Sequence, residues 1–391
     1  MFKTEVHSSI NTIPSKDWND LLTNTPITPF IRHEYLHALE NSGSVCASTG
    51  WTPCHFTVWN DLSNELVAAC PAYLKTHSYG EYVFDWAWAN AYEKHGLKYY
   101  PKLLSAIPFT PVQGTRILGH DINAQKKLIE SIQNFALNNK ISSIHFLFPE
   151  ISELDLLIKS NFLKRQSIQF HWKNNSLENP GLALESFDEF LYTLNKKRRN
   201  NIIRERKSVH QLGINFEHIP GESITLAQWA HFYKCYSNTY FEHRSTPYLN
   251  LNFFEQIGQS MPSMLHMIIA HEKQKPIASS LLFRNRDSSQ ESAYGRYWGS
   301  LKFISNLHFE MAYYQPIDFC IREKINLFEG GAQGEHKIHR GMLPVNLYSA
   351  HYLLEPQFYD AVADFLKREG TAMDQYLDEM KEHSPIRNNT H

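Results

Sequence analysis

One order of periodic segments occurs twice along this 391-residue chain, and that repetition limits its possible folds more than any other feature. In the second half the spacing predicts a long helix over 187–209 and another over 226–241. A hairpin follows, 264–270 with 277–283 across Glu272-Lys273-Gln274-Lys275, and then a third strand over 292–298. A helix over 306–323 and a short buried strand at 326–328 complete the set. The first half follows the same plan, with short helices at 18–22 and 34–40 and strands at 55–59, 66–74 and 82–88. After a segment broken by Pro101, Pro108 and Pro111 come a helix over 124–137, a strand at 144–148, a helix over 153–160 and a strand near 167–172. Two copies of this plan predict an α/β (α+β) chain with mixed sheets flanked by helices. The Asn-, Ser-, Gly- and Pro-bearing stretch 173–180 is the natural linker. It divides the chain near residue 178 into domains 1–178 and 179–391. The polar tail after Gly370 is expected to fray over 384–391.

Length and composition fit two globular domains, with 42% apolar and 20% charged residues. A formal charge of −2 gives no global field for nucleic acid or an anionic membrane, so any anion must be held by a local patch. The N-terminal stretch has no apolar run of signal-peptide length, and no run of about 18 apolar residues appears anywhere, so the expectation is a cytoplasmic protein without a membrane span. Five scattered cysteines without a CxxC pair read as buried reduced thiols.

Three stretches of the second half concentrate ionisable residues. LNKKRRNNIIRERKSV (194–209) carries seven basic residues on a helix whose apolar stripe is Phe187, Phe190, Leu191, Leu194, Ile202 and Val209. Charge runs are usually solvated faces. Arg198, however, lies on the stripe, four residues from both Leu194 and Ile202. A carboxylate such as Glu205 satisfies it, or it faces a cleft and binds phosphate or carboxylate. In SAYGRYWGSLKFISNLHFE (292–310), strand alternation puts Gly295, Tyr297 and Gly299 on one face and Tyr294, Arg296 and Trp298 on the other. Glycines inside a strand mark a bulge or a close backbone approach. Glu310 falls on the apolar stripe of the next helix with Leu307, Tyr314, Ile317 and Ile321. It is either a general base for an amine or the structural partner of Arg296 or Arg198. In FEGGAQGEHKIHRG (328–341), Gly330, Gly331 and Gly334 let backbone N–H groups turn inward as an anion nest, while Lys337, His339 and Arg340 add positive charge. The loop lacks P-loop spacing. A tight structural turn explains its glycines but not its crowd of ionisable residues. Glu329, Glu335 and His336 are its candidates for proton transfer. His336 and His339 without a third ligand do not make a metal site.

Two softer features remain. Trp229, Phe232, Tyr233, Tyr236 and Tyr240 form an aromatic stripe, mostly core by type, whose Tyr236 and Tyr240, with Arg244, are candidates for a cleft floor. In the first half, Asp85, Asn90, Tyr92 and His95 are polar enough to face a groove. Pro149-Glu150 follows the 144–148 strand without a glycine nest, so this half is expected to bind substrate or serve as a structural partner.

The blocks NKKRRNNIIRERK, YGRYWG, LHFEMAYYQPIDFCI and FEGGAQGEHKIHRG, with WANAYEKHGLKYYPKLL and PFTPVQGTRIL, resemble FemAB-like proteins of the GNAT acyltransferase superfamily over roughly residues 15 to 360. The resemblance implies two tandem GNAT-like domains, with an acyl donor's arm lying along the third strand where it splays from its neighbour. The label of that family, peptidoglycan biosynthesis or recognition, rests on likeness to Fem ligases, which move amino acids from aminoacyl-tRNA to a cell-wall precursor. Arg199-Asn200-Asn201-Ile202 is similar to the basic helix of those ligases. The usual GNAT pyrophosphate loop is absent, since 301–307 contains no glycine, which argues against ordinary acetyl-CoA binding.

The expectation is therefore acyl or aminoacyl transfer to a small-molecule or peptide amine. The donor would be acyl-CoA or aminoacyl-tRNA, with no tightly bound cofactor and no metal. Glu310, Glu335 or His336 would handle protons. Arg198, Arg199, Asn201, Tyr240, Arg296, Lys337, Arg340 and the glycines would bind. Near-neutral total charge favours a small donor over tRNA, whose binding would fall steeply with salt. A non-catalytic module that recognises a nucleotide-linked sugar or muropeptide is the alternative. DNA binding fits least, because the basic helix carries a packing stripe.

Overall fold

The computed structural model describes residues 2–23, 28–286, 291–331, 334–382 and 384–387, without the side chain of Glu335. The chain divides into two compact units, residues 1–167 with 346–376, and residues 168–345 with 377–391. The stretch 173–180 lies inside the second unit, where the buried Asn174 amide binds the Cys320 and Ile325 carbonyls.

The first unit opens with β1 (Phe2–His7), α1 (Ser15–Asp20) and α2 (His33–Asn41). Then come β2 (Trp51–Pro53), β3 (His55–Asn60), β4 (Leu66–Cys70) and β5 (Tyr73–Lys75). The run expected as one strand over 66–74 is two, split at Pro71, which has no N–H for a ladder. The expected strand over 82–88 is instead an irregular turn leading into helix α3 (Trp86–Lys94). Its aromatic residues suggested a strand, but Trp88 and Tyr92, four apart, bury one helical face. The unit continues with β6 (Lys102–Ser105), α4 (Ile122–Asn138), β7 (Ser143–Leu147) and α5 (Ile151–Lys159). β6 and β7 pair in parallel across the α4 crossover.

β8 (Leu163–Lys173) leads into the second unit. There the expected helix over 187–209 is two, α6 (Phe187–Thr193) and α7 (Lys196–His210). The break falls where the Asn195 side chain accepts from the Arg198 N–H at 3.1 Å, an N-cap in mid-run. β9 (Ile214–Pro220), α8 (Leu226–Glu242) and α9 (Leu251–Ser260) precede β10 (Leu265–Glu272), β11 (Lys275–Arg284) and β12 (Ser292–Ser300). α10 (Leu307–Phe309), a π-helical turn (Glu310–Tyr314) and α11 (Gln315–Arg322) form one continuous rod before β13 (Leu327–Glu329). Within this unit the strands run β8-β13-β12-β11-β10-β9. Only β12 and β13 are parallel neighbours, flanked on one side by an antiparallel set.

β14 (Leu343–Leu353) pairs with β7 in the first unit, which has the strand order β2-β5-β6-β7-β14. Before the tail expected to fray comes a helix not expected from the sequence, α12 (Pro356–Glu382). Val362 and Leu366 join the first unit's core, and Met380 joins the second's. The Arg387 N–H then donates to the Thr193 carbonyl at 2.9 Å, so 384–387 is held. Residues 388–391 lie outside the described residues.

Candidate functional site

The parallel pairing of β12 with β13 covers only Ser292–Tyr294 and ends at Glu329. Beyond it, β12 runs on to Ser300, while the chain leaving β13 turns into the glycine loop. Both roles expected of the strand glycines are present. The register with β11 slips so that Arg296 is the extra, bulged residue beside Gly295. A Cβ on Gly299 would stand 1.9 Å from the Cys235 carbonyl oxygen, so α8 lies against the strand backbone as no other residue would permit.

The glycine loop meets β12 at that bulge. A Cβ on Gly331 would be 3.9 Å from the Gly295 carbonyl, and Gly331 and Gly334 have φ of +88° and +110°. Gly330 leaves room for Met342, whose side chain a Cβ would meet at 2.5 Å. Lys337 is 3% exposed. Its Nζ donates to the Gly331 carbonyl at 2.7 Å, and no carboxylate pairs with it among the described residues. Burial, and then the charge of Arg296, bring its ammonium down to about 7. Arg340 is held from three sides. It donates to both oxygens of Glu205 at 2.9 and 3.0 Å and to the His336 carbonyl at 2.9 Å, and it lies 3.4 Å from the Phe309 ring centroid. Glu205 also accepts from the Tyr314 hydroxyl. His336 Nε2 is 3.0 Å from the Tyr313 hydroxyl. Burial, then Arg340 and Lys337, push the His336 ring below the usual imidazole range, so it is neutral at pH 7.

Glu310 is fully buried one turn from Tyr314, on the π-helical turn. The arginine it pairs with is neither Arg296 nor Arg198 but Arg206, 3.2 Å from Oε1. That same oxygen accepts from Gln315 at 2.7 Å and has His210 at 3.5 Å, while Oε2 accepts nothing among the described residues. Arg198 is not the partner of Glu205. It is half-buried, without a carboxylate among the described residues, and close enough to His339 to lower that ring's pKa after burial has done so. Arg199 lies over the Tyr192 ring at 5.4 Å, and Asn201 accepts from Arg204. Tyr240 accepts from Tyr236 at 3.3 Å in an aromatic group with Tyr248, and no contact of theirs reaches the loop among the described residues. The Glu335 side chain lies outside the described residues. No group of three metal-ligating side chains is found among the described residues.

The first unit holds a cluster that composition did not reveal. Lys75 and Lys102 are 0% exposed, Glu81 4% and Asp85 3%. Lys102 donates to Ser78 at 2.8 Å, to Glu81 at 2.7 Å and to Asp85. Lys75 is 3.9 Å from Glu81 and 3.6 Å over the Trp51 ring. Burial raises Glu81 to about 7. Against the upward push of burial, Lys102 holds Asp85 down at about 2. Asp85 and Tyr92, expected at a groove, are thus buried, whereas Asn90 and His95 are exposed.

A family model described as peptidoglycan biosynthesis/recognition matches residues 9–388. The chain belongs to the FemAB-like family. Among solved structures this FemAB-like chain is similar to FemX, with 11% identity over 92% of this chain and 100% of that one and a TM-score of 0.54. It is also similar to L-PGS from Bacillus licheniformis, with 9% identity over 90% and 97% and a TM-score of 0.52. The C-terminal domain of a putative lysylphosphatidylglycerol synthetase from Agrobacterium fabrum aligns at 9% identity over 90% and 95%, with a TM-score of 0.51. At these identities the likeness is one of fold. No curated protein matches the chain. No helix among the described residues is long and apolar enough to cross a membrane.

Proposed function

We infer that the second unit transfers an acyl or aminoacyl group from an activated, anion-bearing donor to an amine. One observation carries this reading: a buried ammonium with no carboxylate partner among the described residues, Lys337, stands in a glycine loop at the point where β12 and β13 part. A desolvated cation without its counter-charge is unfavourable until an anion arrives, so the loop suits a phosphate of the donor. Backbone N–H groups of β12 beyond its pairing with β13 would hold an acyl carbonyl as it becomes an oxyanion. Of the candidate proton acceptors, His336 fits best. Its neighbours keep it neutral, and it is half-buried rather than sealed. Glu310 fixes Arg206 and α11 from beneath. The family description, and fold relatives named for FemX and for lysylphosphatidylglycerol synthesis, support aminoacyl transfer within this class.

The test is a binding and thermal-shift screen against acyl-CoAs, charged tRNA and UDP-linked muropeptides. A saturating ligand raises stability by about RT ln(1 + [L]/Kd). Stabilisation by a donor that is lost in Lys337→Ala upholds the reading. A response to muropeptide alone, unchanged by His336→Ala, makes the protein a recognition module instead.

A further inference from the structure

Beside Lys337 and Arg340 lies a group of aromatic rings that anion binding does not use. Trp298 stacks on His308 at 4.6 Å between centroids, and His308 is 5.4 Å from Phe309 and 6.3 Å from His336. Phe309 is 6.0 Å from His336, and Tyr313 is within 6.4 Å of His308, Phe309 and His336. The buried Tyr313 forms the floor, and the other four rings are half-exposed. Both imidazoles are kept uncharged. Burial, then His336, Arg340 and Lys337, bring His308 to about 4, and His336 is lowered as described. The surface is therefore neutral and aromatic, with two buried cations at its edge. The nearby carboxylate, Glu205, is already bonded to Arg340 and Tyr314. The Nε–H of Arg340 is buried and donates to nothing among the described residues.

Rings beside cations are how proteins hold nucleotides, the base by stacking and the phosphate by charge. Acyl-CoA and aminoacyl-tRNA differ in nearly everything, yet each carries an adenosine phosphate. We propose that Trp298, His308 and Phe309 stack the adenine of the donor while Lys337 and Arg340 hold its phosphate. This rests on the reading of the loop as a donor site and adds what that site selects.

The experiment measures equilibrium binding of the full chain to pyrophosphate, adenosine, ADP, CoA and a short RNA ending in CCA or, as control, in CCU. ADP is expected to bind about tenfold or more tightly than pyrophosphate, the contribution of one stacked base. Trp298→Leu and His308→Leu should erase that preference while leaving pyrophosphate affinity unchanged in folded protein, and Trp298→Phe should restore it. A preference for CoA over both RNAs assigns a small donor. A salt-sensitive preference for the CCA end over CCU assigns tRNA. Equal affinity for ADP and pyrophosphate, or an adenine preference that survives both leucine variants in folded protein, overturns the stacking site and leaves the anion loop standing. Adenosine binding without any pyrophosphate binding upholds the rings and sinks the loop. Binding of none sinks both.

Discussion

The two units bury ionisable groups in opposite ways. In the first, two lysines meet two carboxylates, all at most 4% exposed, and Lys102 alone engages three partners. In the second, Lys337 and Arg340 are 3% and 6% exposed, and the carboxylate described beside them, Glu205, bonds Arg340 and Tyr314 rather than Lys337. Charges balanced inside the protein tie chain segments together. A charge left unbalanced is a place for something not encoded in the chain. On this comparison the first cluster is architecture and the second is reception, although Glu81 and Asp85 each keep one oxygen without a hydrogen bond.

Four experiments press on that difference, the first having the largest expected effect. Lys102→Met strands two buried carboxylates and should cost about 3–5 kcal/mol in urea unfolding, with donor binding intact in what remains folded. A small cost would mean that the first cluster is not the structural tie it resembles. Lys337→Met should do the reverse, weakening donor binding at least tenfold without loss of stability. The lysine's ammonium is at about 7 in the folded protein against 10.5 for a lysine free in water, so between those values the unfolded chain holds more protons and stability rises with pH. Removing Lys337 should therefore stabilise most near pH 6, which calorimetry at pH 6 and 9 would show. Third, donor affinity in the native protein should fall as pH rises through 7, where the lysine loses its charge. Isothermal titration should find that fall flattened in Lys337→Arg. The smallest effect belongs to Arg198→Ala, half-exposed and at the margin. A two- to threefold loss of affinity, with a shallower salt dependence and no change in melting temperature, is expected.

The hairpin and the helix over 306–323 were legible because local periodicity sets them. The burial of Glu310 was legible too, since its stripe neighbours Leu307 and Tyr314 fix its face. Asn195 was a readable N-cap, but the basic run on either side concealed the break between α6 and α7. α12 was hidden in the same way, its buried Val362, Leu366 and Met380 spread through a polar stretch with Gly370 in its middle. Partner identity was out of reach. Glu205 and Arg340 are 135 residues apart in sequence, Arg206 and Glu310 104, and no spacing rule links them. Lys102 is 17 to 21 residues from its two acids, across an irregular turn that composition presented as a strand. The ring cluster draws on three separate blocks, so only the folded chain assembles it.

The route of the chain has a consequence for biosynthesis. Residues 346–376 return to the first unit after the second has been laid down, and 377–391 then return to the second. No single cut yields either half whole. On the ribosome, the N-terminal portion waits without its last strand and helix until residues 346–376 have been made, so early refuge for its apolar surface must come from chaperones or from partial structure. A truncation a few dozen residues from the C-terminus should therefore damage the beginning of the protein as much as its end.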